Sequence, residues 1–95
     1  MAERDLKKYL LKRVKELGGI ARKVKWEGRN SAPDWRVAIP DITPFWIELK
    51  DEGKFPTKRQ YREMAEMKRC GENVTWADCK IMLDDFIEYE RFRRG

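Results

Sequence analysis

Asp34, Glu48 and Lys50 are the residues whose types and spacing could do chemistry. They flank two short alternating segments, Trp35 to Ile39 and Phe45 to Lys50, joined by Pro40-Asp41-Ile42-Thr43-Pro44. That pattern reads as a β-hairpin. Pairing symmetric about Ile42 sets 34 opposite 50 and 36 opposite 48, with Trp35, Val37, Ile39, Phe45, Ile47 and Leu49 on one apolar face. Asp34, Arg36, Ala38, Trp46, Glu48 and Lys50 then share the other. Asp34 and Glu48 become diagonal neighbours about 7–8 Å apart, within reach of a single ion. Two carboxylates on one site suit a hard divalent cation, Mg²⁺ or Mn²⁺. Such an ion polarises a phosphodiester and lowers the pKa of a bound water, and a lysine beside it can hold or help deprotonate that water and offset charge on the phosphate. A blander reading stands next to this one. Pro-Asp is a common turn dipeptide, and Glu-x-Lys on an exposed strand is often a solvated ion pair.

The elements that must position these groups are legible in the periodicity. Leu6, Tyr9, Leu10, Val14 and Leu17 recur at helical spacing, and Gly18-Gly19 ends that helix. Ile20, Val24 and Trp26 alternate with Ala21, Lys23 and Lys25, as in a half-buried strand. A loop over 28–32 leads into the hairpin. After a polar loop over 51–56, Thr57 and Gln60 have capping-box spacing and open a helix to about Cys70, stopped by Gly71. Val74 to Trp76 is a short strand, and Asp78 is placed to cap a last helix carrying Ile81, Met82, Leu83, Phe86 and Ile87. Residues 90–95 read as a frayed basic tail. The order α-β-β-β-α-β-α describes one compact α/β domain over residues 1–95.

Composition narrows the options. Ninety-five residues allow a single domain with a small core. The chain has no histidine, which removes His-dependent triads and zincin chemistry, and two cysteines do not make a four-ligand zinc site. No apolar run approaches the roughly 18–20 residues of a membrane span, and no secretory signal opens the chain. The expectation is a soluble, reduced, intracellular protein with no membrane partner. The net charge of +5 is regional: residues 1–30 hold ten bases against four acids, as on a surface that meets a polyanion.

Pro33-Asp34 followed by Glu48-Leu49-Lys50, on a hairpin after a helix, resembles the PD-(D/E)xK nuclease core. The fuller pattern resembles its VRR-NUC branch, the virus-type replication-repair nuclease domain. It matches at Glu3 and Leu6, Gly18-Gly19, Lys23, Pro33-Asp34, Glu48-Leu49-Lys50, Gln60, and Gly71 before Val74. The resemblance covers nearly the whole chain and implies a stand-alone phage-type member, acting in the cytoplasm of a bacterial host. It implies a restriction-endonuclease-like αβββαβ core, with a C-terminal helix and a mixed central sheet flanked by helices. It also implies metal ligation by Asp34, Glu48 and the Leu49 carbonyl, with Glu3 nearby through water, and Lys50 as the catalytic lysine.

Gln60 has two readings, a substrate contact implied by the resemblance and an N3 residue completing a capping box. Lys23 and Lys25 could meet phosphates, and Trp46 is the aromatic on the site face that could touch DNA. The other large aromatics near the hairpin, Trp26, Trp35 and Phe45, read as core. The expected activity is a Mg²⁺- or Mn²⁺-dependent DNA endonuclease, selective for branched DNA such as four-way (Holliday) junctions and working as a homodimer. Alternatives are a flap or other structure-specific nuclease, a non-catalytic nucleic-acid-binding module, and an interaction protein whose basic helix docks on an acidic partner.

Overall fold

A computed structural model describes residues 1–94. Its elements follow the expected order: α1 (Glu3–Glu16), β1 (Ile20–Lys23), β2 (Trp35–Ala38), β3 (Phe45–Leu49), α2 (Lys58–Arg69), β4 (Val74–Ala77) and α3 (Lys80–Arg94). The strands lie side by side as β1-β2-β3-β4, the first two pairings antiparallel and the third parallel. A parallel pair needs a crossover, and α2 supplies it between β3 and β4. The sheet is therefore mixed, with helices on both faces, as expected.

Strict alternation gives that sheet two unlike faces. Trp35 and Val37 of β2 and Phe45, Ile47 and Leu49 of β3 point one way, onto Leu6, Leu10 and Val14 of α1 and Leu83 and Ile87 of α3. Seven of these ten side chains are 0% exposed, and this is the main core. On the other face, Met64 and Met67 of α2 meet Val74, edged by Trp26, Trp46 and Trp76. The apolar spacing of α1 thus serves one face, and the bases of that helix lie on the side of the sheet away from α2.

Gly18-Gly19 does more than stop α1. Gly18 takes φ +76°, while the Gly18 and Gly19 amides donate to Lys15 O and Val14 O, the two bonds of a Schellman cap. A Cβ at Gly19 would lie 2.5 Å from Ala38 O and 2.8 Å from Ile39 Cγ1. The second glycine is required because the end of β2 runs against it.

Four details differ from the sequence reading. β1 ends at Lys23, and Ile20 is exposed while Ala21 packs toward the core, so strand alternation does not carry from Ile20 through to Trp26. The hairpin pairs Trp35 with Ile47, Arg36 with Trp46 and Val37 with Phe45, a shift of two residues from pairing about Ile42. Ile42 cannot sit at the apex because it is buried in the main core; the left-handed residue of the turn is Asp41, at φ +68°. Asp78 does not cap α3; its carboxylate accepts from the Gly53 amide at 3.0 Å. Residues 90–94, expected to be frayed, continue α3, and Glu90 is buried with Asn73 Nδ2 2.6 Å from its carboxylate; Gly95 lies outside the described residues.

Candidate active site

Pro33-Asp34 enters β2 from a loop that two hydrogen bonds fix. The Val24 amide donates to Asp34 O at 2.8 Å, and the Trp26 indole N–H donates to Pro33 O at 2.8 Å. Trp26 is therefore not simply core. It is partly buried, and its second role is to hold the Pro-Asp segment in place. The only trace of that role in the sequence is an aromatic just before a loop.

The register shift brings the carboxylates closer in sequence register than expected. Continued one step beyond Trp35–Ile47, the ladder sets Asp34 directly across from Glu48 instead of diagonal to it. A step of two leaves every residue on its own face, so the expected partition of apolar and polar side chains stands. Glu48 is 15% exposed at its side chain and its carboxyl is pushed up to about 7. Burial is the main cause and the charge of Asp34 the next; Lys50, with Nζ 4.0 Å from Glu48 Oε2, partly offsets them. Lys23 Nζ lies 3.6 Å from Asp34 Oδ2, pairing the other acid.

Glu3 adds its negative charge to the same field at Glu48. Its placement has a cause that sequence reading missed. Ala2 offers α1 no side-chain cap, and the Glu3 amide donates instead to Asp51 Oδ1 at 2.6 Å. Asp51 directly follows Lys50, so the loop leaving the site caps the helix that carries Glu3.

Gln60 fulfils the capping-box reading: its Oε1 accepts from the Thr57 amide at 2.8 Å, and its own amide donates to Thr57 Oγ1 at 3.1 Å. It also lines the cleft beside the carboxylates, and among the described residues no hydrogen bond engages its Nε2. That cleft, about 450 Å³, is bounded by Lys23, Lys25, Trp26, Asp34, Glu48 and Gln60, with Arg29 and Asn30 at its outer end. Trp46 is not among its walls. Its indole N–H donates to Glu72 Oε1 at 3.3 Å, its ring packs 4.9 Å from Trp26, and the Arg36 guanidinium lies 5.3 Å from its centroid. The aromatic that reaches the cleft is Trp26.

The donor set is hard oxygen, carboxylate facing carboxylate, with no histidine and no thiol. Glu48 keeps a raised pKa because burial strips its carboxylate of water and Asp34 adds a second negative charge, a condition that an added cation relieves. Among the described residues no three His, Cys, Asp or Glu side chains form a metal cluster. The side-chain complement is two carboxylates, which suits an ion that keeps several waters, as Mg²⁺ does.

No family model matches the chain. "Putative nuclease p44" of Acyrthosiphon pisum secondary endosymbiont phage 1 is 37% identical over 76 residues, spanning 80% of this chain and 82% of that protein. A solved structure described as a VRR_NUC domain is 33% identical, covers 94% of this chain and 98% of its own, and superposes with a TM-score of 0.82. The chain belongs to the VRR_NUC nuclease family. Membership at this coverage extends from the hairpin to all seven elements, and it makes the chain a nuclease domain whose substrate is nucleic acid. No helix among the described residues is long and apolar enough to cross a membrane.

Proposed function

We propose that this VRR_NUC domain is a Mg²⁺- or Mn²⁺-dependent DNA endonuclease, with Asp34, Glu48 and Lys50 as its catalytic side chains. The observation that carries this is that Asp34 and Glu48 line one cleft closely enough for the charge of Asp34 to raise the Glu48 pKa, with a lysine 4.0 Å from the more buried acid. Asp34, Glu48 and the Leu49 carbonyl are the groups that would hold the ion, with Glu3 acting through water. When bound, a divalent cation supplies Lewis-acid polarisation of the phosphodiester and acidifies the attacking water.

The chain's own groups do the rest. Lys50, an ammonium beside Glu48, would orient that water by donating a hydrogen bond to it and would balance charge that builds on the phosphate. Lys23 holds the Asp34 carboxylate on the cleft side. Trp26 fixes the backbone of Pro33, so Asp34 does not drift as charge develops. Gln60 commits its oxygen to the helix cap and offers Nε2 to a non-bridging phosphate oxygen. Lys23 and Lys25 contact flanking phosphates.

The substrate reading is branched DNA, with a homodimer presenting two sites to the paired strands of a four-way junction. A flap nuclease is the alternative. Acting within an infected bacterial cytoplasm fits the phage origin of the p44 relative. The deciding experiment incubates the protein with supercoiled, flapped and four-way-junction DNA in Mg²⁺, Mn²⁺ or EDTA. Paired nicks at junctions in either metal and none in EDTA are expected. Cleavage in EDTA would remove the metal from the mechanism, and cutting confined to flaps would remove the junction.

A further inference from the structure

Beside the cleft runs a second groove of about 370 Å³, between the loop over 27–32 and one face of α2. The two are continuous, because Arg29 and Asn30 line both. Gly28, at φ +73°, turns the loop so that Arg29 reaches α2, where its Nη1 lies 3.5 Å from Glu63 Oε1. Arg59 and Arg62, one helical turn apart, line the α2 wall.

The charge balance of this groove is unusual. Both acids on its wall are already engaged, Glu63 by Arg29 and Glu66 by Arg69 at 2.5 Å and 3.2 Å. Arg59 and Arg62 have no carboxylate within ion-pair distance among the described residues. Two guanidinium forks therefore face an open groove with their charge uncancelled. A guanidinium fork matches the paired oxygens of a phosphate, and its weak hydration makes it the side chain suited to that contact.

The geometry points to this groove as the seat of the substrate strand's backbone on one side of the cut, with Arg59 and Arg62 contacting successive phosphates and Arg29 at the junction with the catalytic cleft. The assignment rests on the nuclease reading above and adds direction to it. The strand leaves the carboxylates past Asn30 and along α2, so substrate must extend that way for tight binding. It also separates binding charge from bulk charge, since the numerous bases of α1 lie on the opposite face of the sheet.

The test measures binding of labelled single-stranded and duplex oligonucleotides in EDTA by fluorescence anisotropy across a salt series. Arg59→Gln with Arg62→Gln should weaken binding roughly tenfold per arginine and lower the slope of log K against log salt by about 0.7–0.9 for each phosphate no longer neutralised. Lys8→Gln with Lys12→Gln removes the same formal charge from the exposed side of α1 and should leave that slope unchanged. Equal weakening in both double variants, or an unchanged slope in the arginine variant, would overturn the groove. If the wild type binds through the arginines yet cuts no DNA in Mg²⁺ or Mn²⁺, the nuclease reading fails and the groove stands. Cleavage by a wild type whose arginine variant binds normally has the reverse meaning.

Discussion

Phe45, Ile47 and Leu49 leave β3 toward α1 and α3, and each is at most 1% exposed. Trp46 and Glu48 leave the same strand on the opposite side, where the buried apolar cluster among the described residues is Met64, Met67 and Val74. One face is filled by interdigitated hydrocarbon. The other holds two neighbouring carboxylates, one of which, Glu48, is pushed up to about 7. The difference shows where the stability of a small domain can reside when its sheet must also carry charge. The α1–α3 face supplies the burial, and the α2 face uses part of it to hold Glu48 away from water. That cost, on the order of 3 kcal/mol when Glu48 is ionised, is comparable to burying one large aliphatic side chain.

The largest expected effects fall on activity at the charged face. Asp34→Ala, Glu48→Ala and Lys50→Ala should each lower cleavage by roughly a thousandfold or more, while DNA affinity survives. A Lys50→Ala protein cutting at the wild-type rate would remove the role given to that lysine.

Stability should respond most at the apolar face. Leu10→Ala, at a fully buried position, should lose about 2–5 kcal/mol in urea unfolding, a large part of the total for a domain this size. Comparable losses from Met64→Ala would mean that the two faces share the burden evenly.

Glu48→Gln sharpens the contrast, because it should abolish cleavage yet stabilise the metal-free protein. The sign follows from the raised pKa. Glu48 ionises near 4.5 when unfolded and near 7 when folded, so the folded chain holds the extra proton between those values. Wild-type stability from this group is therefore present below about 4.5 and lost as pH rises through 7. At pH 8 in EDTA the variant should exceed the wild type by up to about 3 kcal/mol, and at pH 4.5 the two should converge. Adding Mg²⁺ at pH 8 should stabilise the wild type and not the variant. Parallel pH curves for both proteins would show that Glu48 is not the strained group.

The smallest effect is expected at α2. Thr57→Ala removes one half of the capping box and should cost about 1 kcal/mol, with cleavage reduced by less than tenfold. A much larger loss of cleavage would show that the cap holds Gln60 for substrate.

The sequence made the alternation in the hairpin, the helical stripe of α1 and the Thr57–Gln60 box legible, because each is a local pattern within one element. The shared face of Asp34, Glu48 and Lys50, the trio proposed as catalytic, was readable for the same reason, and an error of two in register left it intact. What sequence could not reveal is held by contacts between distant segments. Asp51 caps α1 across 48 residues, and the arginine groove joins a loop near residue 30 to a helix near residue 60. Proline and aspartate around Ile42 signal a turn, and only the core packed beneath it draws that side chain inward. Trp26 lines the cleft instead of the core because β1 stops at Lys23 and the chain no longer alternates there, and no residue type announces that stop.

The parallel pairing of β3 with β4 bears on the order in which the domain folds. Asp34 and Glu48 are brought together by an antiparallel hairpin, a contact of short sequence separation and so one expected to form early. Glu48 loses more of its water when Trp76 arrives beside it, and that pairing must wait for the crossover through α2 to close. Early in folding the two carboxylates can face each other while still solvated, and repulsion grows late, as β4 docks. Alkaline conditions should accordingly oppose the last docking step and hasten unfolding, leaving the rate of hairpin formation almost unaffected.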